Sequence, residues 1–407
     1  MFASKQAQVD EVLNRGVIKQ VFPSMEEFRT RLLSDKKMKF YIGADTTGDS
    51  LHLSHAKNFI LLEEFRKLGH EVFVLFGDLT ACIGDPSDKS SARSRLTREK
   101  AKQNAESWVR QISPLINFEC EENPARVVYN STWFDEFSVV ELLELFSNAT
   151  VQQMIERDMF QKRLSENKPI FLHEFLYPMF QGYDSVALDV DVELCGTDQI
   201  FNALSGRDLL KKYKNKEKFV VAVNLMENPK TGTLMSKSNN TGFFLGTDSK
   251  TLFGQIMAQP DEMIEIILIN DTRVPLDEIK ALDIPNNPMK AKLFTAQEVT
   301  RIFYGETVAE QEYDNFVNTF SKKNFSDEAK IIELNQDSIS LFDLLCVCLP
   351  NESRSAVRRL IQQNAIAVNG NKCSNAENVF NLSNEDDLQL KVGKKQFFLI
   401  HYASPKL

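Results

Sequence analysis

The apolar positions in the first part of the chain alternate between short continuous runs and a helical period. Residues 38–45, MKFYIGAD, form an apolar run that ends at glycine and aspartate, as is typical of a buried strand. Residues 52–69 carry apolar side chains at helical spacing with Gly69 as a C-terminal stop, and 70–78, HEVFVLFGD, predicts a second strand. A strand, a helix and a strand in this order indicate a βαβ unit and a parallel sheet.

The same alternation of strands and helices continues along the next part of the chain. We predict a helix over 97–112 and a strand over 125–130. A further strand ends at Gly196, a helix follows from Gln199, and the run at 219–225 predicts one more strand. The pattern is therefore that of an α/β domain with helices on the faces of a parallel sheet.

The remaining pattern is largely helical until the C-terminal part. Residues 135–182 predict a helical insertion, in which Pro169 and Pro178 should interrupt helices. Residues 249–335 are helical in pattern with several proline breaks, and the Asn-, Asp- and Ser-rich patch at 335–340 is a linker candidate. Beyond it, a small unit combines a helix with short strands; the predicted segments are 353–363, 365–370 and 388–393.

Composition adds constraints on compartment and partners. At 407 residues, with 43% hydrophobic and 26% charged residues, the chain is an ordinary globular protein of two or three domains. No apolar run approaches the ~20 residues that span a bilayer, and we expect no N-terminal targeting sequence. The six cysteines show no paired spacing, so we expect neither a zinc ribbon nor disulfides, and a cytoplasmic location.

The charge is unevenly distributed. The net charge is −9, but residues 351–407 carry eight Lys and Arg against five Asp and Glu, which leaves −12 on the remainder. A basic C-terminal unit on an acidic body is compatible with local RNA contact. On charge alone, a solvated surface of mixed charge is an equal alternative.

Two of the five histidines, His52 and His55, lie three residues apart where the first predicted strand gives way to a helix. They suggest a metal site, a phosphate site at a helix start, or two incidental histidines. Zinc needs a third or fourth ligand, and the sequence offers no His or Cys cluster to supply it, so we predict no metal site. A helix N-terminus after a strand is suited to anions, which favours the phosphate interpretation.

Two other loops carry cations that suit phosphate. The loop TGTLMSKS at 231–238 follows a later predicted strand and contains Lys237 between two serines. The loop GDPSDKSSAR adds Lys89 and Arg93. Each loop alone is a weak signal. Three phosphate-capable elements that follow strands of one parallel sheet indicate nucleotide chemistry at the carboxyl ends of the strands.

These motifs resemble a known family of enzymes. HLSH and LMSKS resemble the HIGH and KMSKS signatures of class I aminoacyl-tRNA synthetases. The segments YIGADTTGDSLHLSH, IGDPSDK, FLYPMFQGYDS and VELCGTDQIFN are similar, in order and spacing, to motifs of tyrosyl-tRNA synthetases, the bacterial type being nearest. The resemblance covers nearly the whole chain.

The resemblance implies a domain organisation and a set of partners. It implies a Rossmann-like catalytic domain with a helical insertion, then a helical domain on the anticodon side, then a small α+β S-four-like RNA-binding domain. The expected bounds are 1–35 for an N-terminal helical segment, 36–225 for the catalytic domain with its insertion at 135–182, 226–334 for the LMSKS loop and helical domain, and 335–407 for the linker and RNA-binding domain. It further implies a homodimer joined through residues 135–180 and no membrane partner.

The resemblance also assigns roles to residues. Residues implied for the tyrosine pocket are Tyr41 and Asp184 at the phenol, Asp85, Tyr177 and Gln181 at the amino group, and Gln199 beside the carboxylate, with Asn130 and Trp133 at its border. Residues implied for ATP are Asp45, His52, His55, Gly196, Asp198 and Lys237, with His52, His55, Lys237, Lys89 and Arg93 stabilising charge during catalysis. Arg354, Arg358 and Arg359 are implied for RNA binding.

The implied reaction is tyrosine–tRNA ligation. Tyrosine would attack ATP, a substrate accompanied by Mg²⁺, to give tyrosyl-adenylate and pyrophosphate, and the tyrosyl group would then pass to tRNA(Tyr). No tightly bound cofactor is implied. Catalysis would consist of positioning and charge stabilisation, without a side-chain nucleophile.

The chain departs from the family signatures at four positions. Ser54 replaces the glycine of HIGH, Leu234 the first lysine of KMSKS, Cys195 a glycine and Thr46 a proline. These changes leave two alternatives to a tyrosine–tRNA ligase: a diverged or duplicate synthetase, or an inactive synthetase-like RNA-binding protein. Because the residues matched to the tyrosine pocket keep their type, an active tyrosine-activating enzyme is favoured.

Overall fold

The chain forms two units, residues 1–310 and residues 311–407. In the computed structural model the described residues are 4–86, 96–235, 241–317, 329–363, 365–368, 371–382, 388–393 and 396–402. Each unit has its own hydrophobic core, and each is described below by itself.

The first unit is organised around a six-stranded sheet of short, mostly apolar strands. The strands are β1 (Ile18–Phe22), β2 (Lys39–Ala44), β3 (Glu71–Phe76), β4 (Arg126–Tyr129), β5 (Val192–Gly196) and β6 (Phe219–Val223). Their order is β1-β6-β5-β2-β3-β4, and all neighbours are parallel except β1, which is antiparallel to β6. The strand order reverses between β2 and β5, which is the topological switch point of the sheet.

Helices connect and cover these strands. They are α1 (Lys5–Asn14), α2 (Met25–Leu33), α3 (Ala56–Lys67), α4 (Thr80–Ile83), α5 (Arg98–Ile112), α6 (Ser131–Phe134), α7 (Val139–Phe146), α8 (Val151–Ile155), α9 (Asp158–Ser165), α10 (Leu172–Leu188), α11 (Ile200–Lys214), α12 (Ser249–Met257), α13 (Ile264–Asp271), α14 (Leu276–Ala281), α15 (Pro288–Tyr304) and α16 (Glu306–Phe316). Short 3₁₀ turns at Leu53–His55 and Thr197–Gln199 precede α3 and α11.

Local sequence explains where several helices begin and end. Thr97 caps α5 by accepting a hydrogen bond from the backbone N–H of Lys100, and Ser138 forms a capping box with Glu141 at the start of α7. After α3 the chain turns at Gly69 with φ of +92°, a conformation that favours glycine.

The core of the first unit lies between the sheet and its helices. Helix α3 packs against β2, β3 and β5, and α11 packs against β5, β6 and α10. The helices α10 and α11 approach closely at Gly182 and Gly206, since a Cβ on Gly182 would lie 3.2 Å from the Cα of Gly206. This close contact brings α10 down onto the switch point.

The predicted α/β class and parallel-sheet core are confirmed, with two differences in detail. The segment 1–35 was expected to be helical, yet it contains β1, which adds an antiparallel edge to the sheet. Pro178 was expected to interrupt a helix, yet it lies inside α10. Residues Tyr177 to Phe180 are all buried, so packing compensates for the backbone hydrogen bond that proline cannot make.

The second unit is a small α+β structure. Its strands are β7 (Lys330–Leu334), β8 (Ser338–Ser340), β9 (Ile366–Val368), β10 (Asn371–Lys372), β11 (Val379–Asn381), β12 (Leu388–Val392) and β13 (Gln396–Tyr402), and its helices are α17 (Leu341–Cys348) and α18 (Arg354–Gln362). The order β10-β9-β12-β13-β7 forms one sheet, and β8 pairs with β11.

The start of this unit differs from the expected linker. Residues 338–340 of the predicted linker form β8, and 330–334, assigned to the preceding domain, form β7 and pair with β13. The polar residues Asn335 to Asp337 form the short turn between β7 and β8. Strand pairing between segments far apart in sequence overrides such local composition.

Candidate active site

A cluster of buried polar side chains lies at the switch point of the first unit. Tyr41 on β2 is opposite Glu193 on β5 in the strand register, and Asp45 directly follows the end of β2. Ligands of open α/β sheets bind outside the carboxyl ends of the strands at such a point. The sheet therefore places the candidate site where the topology alone favours one.

One end of the cluster surrounds the hydroxyl of Tyr41, which is 1% exposed. This hydroxyl lies 2.8 Å from the Oγ of Ser185, and the indole N–H of Trp133 donates to the Asp184 carboxylate at 3.0 Å. Burial raises the pKa of Asp184 well above its ordinary value. The pKa of Tyr41 is also raised, mainly by burial and to a smaller extent by the negative charges of Glu193 and Asp184. This end is therefore a cluster of buried polar side chains.

Trp133 is held in place by the start of α6. The buried carboxylate of Asp78 accepts hydrogen bonds from the backbone N–H and the hydroxyl of Ser131, at 3.0 and 2.6 Å. The amide of Asn130 accepts from the backbone N–H of Leu79 and donates to Thr80. These bonds fix the short helix that directs the indole toward Asp184.

The other end of the cluster is built around Asp45. Its carboxylate accepts a hydrogen bond from Thr80 at 2.6 Å and one from the hydroxyl of Tyr177 at 3.0 Å. Burial is the main cause that raises the pKa of Asp45 to about 7, and the nearby Asp85 raises it further while the two hydrogen bonds oppose the shift. Gly77 provides the space that the Asp45 carboxylate occupies, because a Cβ there would lie 2.2 Å from this carboxylate.

A chain of amide side chains links the two ends. The amide N–H group of Asn202 donates to Gln181 at 3.0 Å and to Gln199 at 2.9 Å. Gln199 in turn donates to Asp85 at 2.7 Å, and Gln181 donates to Glu193 at 3.3 Å. Asp85, Gln181 and Gln199, all predicted for the tyrosine pocket, are therefore joined in one hydrogen-bonded chain that reaches Glu193.

The two histidines flank the start of α3. The Nδ1 of His52 accepts from the backbone N–H of Ser54 at 3.3 Å and lies 3.0 Å from its hydroxyl. The Nε2 lies 2.7 Å from the carbonyl of Thr241, so it carries the proton. His52 is 2% exposed, whereas His55 is open to solvent on one side; desolvation by the surrounding protein still lowers the pKa of His55 to about 4.

The turn after β5 contains the two residues predicted for the ribose. A Cβ on Gly196 would lie 2.3 Å from the carboxylate of Asp198, so the glycine leaves room for that carboxylate in its present position. Both residues lie at the carboxyl end of β5, beside β2 and its Asp45. The predicted tyrosine and nucleotide residues thus share one edge of the sheet.

Comparison with known proteins decides the family. Residues 33–321 match the family described as class I tRNA synthetases for W and Y, and residues 322–400 match the tyrosine–tRNA ligase SYY-like C-terminal domain. The chain belongs to the class I tRNA synthetase family. The predicted enzyme class, an aminoacyl-tRNA ligase, is confirmed.

Curated relatives and solved structures agree with this assignment. The chain is 35% identical to the tyrosine–tRNA ligase of Aquifex aeolicus over 92% of this chain and 94% of that one. It is 34% identical to that of Thermotoga maritima over 97% and 98%. A truncated mitochondrial tyrosyl-tRNA synthetase of Aspergillus nidulans has the same fold, with a TM-score of 0.65 at 20% identity over 78% of this chain and 95% of that one. These relatives support tyrosine–tRNA ligation, and none of them favours a diverged or inactive synthetase.

Three predicted cations of this synthetase lie outside the described residues: Lys89, Arg93 and Lys237. In the described part of the loop, Lys230 forms an ion pair with Glu262, which lies in the 3₁₀ turn at Asp261–Met263.

The substituted signature positions are accommodated by packing. The hydroxyl of Thr46 donates to the carbonyl of Ala101 on α5 at 2.8 Å, and its own carbonyl accepts from Asn104. Cys195 is buried against Val220 and Ala222 of β6. Both replacements thus strengthen contacts behind the site rather than filling it.

Several residues of the network were not found from sequence: Thr80, Ser185, Glu193, Asn202 and Lys218. One available signal was Glu193, a carboxylate in the middle of an otherwise apolar strand. Lys218 gave no signal, because a lysine next to a strand is usually solvated. Here it is 1% exposed.

The second unit presents the three predicted arginines on α18 with exposed side chains. The guanidinium groups of Arg354 and Arg358 lie 5.0 and 5.1 Å from the ring centroid of Phe342 on α17. Within the described ranges, no group of three or more His, Cys, Asp or Glu is arranged to hold a metal, and no helix is long and apolar enough to cross a membrane.

Proposed function

We propose that this chain joins L-tyrosine to tRNA(Tyr), first forming tyrosyl-adenylate and pyrophosphate from tyrosine and ATP. The observation that carries the proposal is the two-ended buried network at the switch point. One end offers Tyr41 and Asp184 to a phenol, and the other offers Asp45, Asp85 and Tyr177 to an ammonium group. Free tyrosine has these two groups at opposite ends.

Recognition of the ring is proposed to rest on Asp184 and Tyr41. A phenol that enters this end can donate to the Asp184 carboxylate and accept from the Tyr41 hydroxyl. Phenylalanine would make neither of these two hydrogen bonds and would still displace solvent from both buried groups, which disfavours its binding. The indole of Trp133 lies at the edge of this end of the pocket, where it donates to Asp184.

Recognition of the amino-acid end is proposed to rest on charge. Asp85 and Tyr177 would hold the α-ammonium group. Asp45, which the resemblance assigns to ATP, would join them, because it accepts from the hydroxyl of Tyr177. Gln181 would accept from the same ammonium group. Gln199, which donates to Asp85, lies where it can donate to the tyrosine carboxylate and direct it toward ATP.

Activation is proposed as an in-line displacement. A tyrosine carboxylate oxygen attacks the α-phosphorus of ATP, the bond to the bridging oxygen breaks, and pyrophosphate leaves with that electron pair. His52 and His55 would contact the α-phosphate, and Gly196 and Asp198 would contact the ribose. Because the Nδ1 of His55 lies 3.1 Å from the carbonyl of His52 and donates to it, His55 would donate to the phosphate from Nε2 in its protonated form, which the phosphate charge favours. Lys237, Lys89 and Arg93 would neutralise the leaving group, together with Mg²⁺ carried by the nucleotide.

His52 can take this role only after a local change. Its Nε2 proton is already donated to the carbonyl of Thr241, and the hydroxyl of Ser54 lies against its Nδ1. We propose that ATP displaces the 241–245 segment from the ring. Ser54 then keeps the Nδ1 side occupied, so that Nε2 remains the donor.

The tRNA is proposed to contact the second unit through the exposed arginines of α18: Arg354, Arg358 and Arg359. Cation–π contacts with Phe342 hold two of them on one face. The match of this region to the ligase C-terminal domain supports the assignment.

A homodimer is proposed from the helical insertion. Val139 and Val140 are each 73% exposed on α7, and Leu143 on the same helix and Leu172 at the start of α10 are 64% and 82% exposed. Apolar side chains exposed in this way are usually covered by a partner, and a second copy of the chain is the partner we propose. A cytoplasmic location is proposed because all six cysteines are free.

The direct test of activation is tyrosine-dependent exchange of pyrophosphate into ATP by the purified, folded chain. We expect exchange with tyrosine, and its strong reduction in a His55→Ala variant of unchanged melting temperature. Charging of tRNA(Tyr) then tests the second step. Exchange without charging would favour a diverged paralogue, and the absence of any exchange would favour an inactive RNA-binding protein.

A further inference from the structure

A buried ammonium group lies directly beneath the proposed phenol end of the pocket. Lys218 precedes β6 and is 1% exposed. Its Nζ contacts the carboxylate of Glu193, which is also 1% exposed, and donates to the hydroxyl of Ser185 at 2.5 Å. Burying such a pair costs desolvation free energy that an apolar pair would not incur, so stability alone does not account for it.

The fold provides space for this ammonium group. A Cβ on Gly206 would lie 2.7 Å from the Nζ of Lys218 and 3.0 Å from the Oγ of Ser185. The glycine on α11 therefore leaves the volume that the ammonium and the hydroxyl occupy. Gly206 on α11 thus accommodates Lys218, which lies before β6.

The pair is in contact with the proposed recognition residues on two sides. Glu193 accepts from the amide of Gln181 at 3.3 Å and faces Tyr41 across the strand pair. Ser185, which the lysine contacts, lies 2.8 Å from the hydroxyl of Tyr41. The Nζ of Lys218 also lies 5.8 Å from the centroid of the Tyr41 ring.

These contacts decide which way the hydrogen bond between Ser185 and Tyr41 runs. Ser185 has one proton and two possible acceptors, the Tyr41 oxygen at 2.8 Å and a Glu193 oxygen at 3.3 Å. Either hydroxyl can donate in the Ser185–Tyr41 bond, and Glu193 also hydrogen-bonds with the Tyr41 hydroxyl. The ammonium engages that Glu193 oxygen and donates to the serine oxygen, so it competes with both hydroxyls for the carboxylate. With the carboxylate engaged in this way, the serine proton can be directed to the Tyr41 oxygen, an arrangement in which the Tyr41 O–H can donate to a ligand.

We propose that Lys218 is a positioning residue for substrate selection, acting with Glu193 through Ser185 to keep the Tyr41 hydroxyl a donor toward the phenolic oxygen of tyrosine. The inference rests on the proposed tyrosine pocket and extends it to residues that do not touch the substrate. Without the ammonium, Ser185 would donate to Glu193 and Tyr41 would donate to Ser185. The phenolic oxygen would then lose its donor.

The test is steady-state pyrophosphate exchange with Lys218→Met, Ser185→Ala and Lys218→Met/Glu193→Gln. For Lys218→Met we expect the tyrosine KM to rise about tenfold or more, as for loss of a charge-assisted hydrogen bond. We expect the ATP KM to stay unchanged and the preference for tyrosine over phenylalanine to fall by a similar factor. The double variant removes the unpaired carboxylate and should recover part of the tyrosine KM.

Lys216→Met is the matched control, since this lysine lies two residues away and pairs with Asp189 and Asp191 instead. It should leave the tyrosine KM unchanged. Ser185→Ala keeps the ion pair and tests the same hydrogen bond if Lys218→Met does not fold. A tyrosine KM and a phenylalanine preference that are unchanged in Ser185→Ala would overturn the inference. A parent chain without tyrosine-dependent exchange would instead contradict the proposed function.

Discussion

At the scale of single residues, Asp184 is the residue we expect to contribute most to ring selectivity, because it is a buried carboxyl that hydrogen-bonds with the indole of Trp133 and with Asn130 at the proposed phenol end. Asp184→Asn keeps the volume but replaces the carboxyl with a weaker acceptor for a phenol. We expect kcat/KM for tyrosine to fall by about ten- to a hundredfold, equivalent to about 1.5–3 kcal/mol. The value for phenylalanine should change little. Equal losses for both amino acids in pyrophosphate exchange would refute the assignment.

Asp45 should give the pocket a pH dependence near neutrality. Its pKa is raised to about 7, mainly by burial, so the carboxylate is neutral below that pH and charged above it. If the charged form binds the ammonium group, kcat/KM for tyrosine should increase as the pH rises through about 7. Asp45→Asn should abolish this step in the pH profile, and a step that persists in the variant would show that another group is responsible.

The raised pKa of Asp45 affects the stability of the fold in the opposite direction from tyrosine binding. The folded pKa of Asp45 lies above the unfolded value of 3.8, so folding favours the protonated form. Its contribution to the free energy of unfolding is complete below pH 4 and is lost as the pH rises through about 7. Substrate binding and stability therefore respond to this one carboxyl in opposite directions.

Sequence motifs located most residues of the site but not their connections. Tyr41, Asp184, Gln181 and Gln199 were matched from motif resemblance, and in the structure Asn202 joins Gln181 to Gln199 while Trp133 donates to Asp184. Their hydrogen-bond partners were missed: Thr80, Ser185, Glu193, Asn202 and Lys218. A hydroxyl or a lysine acquires a role only when distant segments meet. No local pattern carries that information.

At the scale of elements, the segment 241–245 pairs with the residues around His52 and controls that ring. The backbone N–H of Leu53 donates to the carbonyl of Phe243, and that of Leu245 donates to the carbonyl of Leu51. Gly242 has φ of +74°, and a Cβ on it would lie 2.7 Å from the His52 ring. The glycine is required both by the backbone and by the histidine.

Gly242→Ala should therefore disturb the nucleotide side of the site. We expect the free energy of unfolding to fall by about 1–2 kcal/mol, because the left-handed conformation is unfavourable for alanine. The ATP KM should change while the tyrosine KM does not. Gly254→Ala is the control, since nothing lies within 4 Å of a Cβ there and alanine suits its position in α12. A change confined to the tyrosine KM would contradict the role given to this segment.

Hydrophobic periodicity predicted the elements whose burial pattern is regular. The β2–α3–β3 unit and α5 agree with the expected elements to within a few residues, because β2, α3 and β3 are buried along most of their length and α5 buries one face. Strand β1 was missed because its pairing with β6 joins segments about 200 residues apart. Pro178 was misjudged because burial along α10 outweighs the local preference of proline.

At the scale of the whole molecule, the proposed chemistry lies entirely within the first unit, while the proposed RNA-binding arginines lie in the second. A chain ending at Val317 should therefore retain tyrosine-dependent pyrophosphate exchange. Charging of tRNA(Tyr) should fall by at least about tenfold in kcat/KM, the loss expected when one or more charge-assisted phosphate contacts are removed. Arg354→Ala/Arg358→Ala in the full chain should lower charging in the same direction. Loss of pyrophosphate exchange in the folded truncated chain would contradict this division.

The central claim, that the pocket selects tyrosine for tRNA charging, is tested most directly by aminoacylation of total tRNA with a panel of amino acids. Tyrosine, phenylalanine and tryptophan should be compared at equal concentration with the purified full chain. The account predicts charging with tyrosine, on tRNA(Tyr), with phenylalanine and tryptophan strongly disfavoured. Preferential charging with phenylalanine or tryptophan would contradict it.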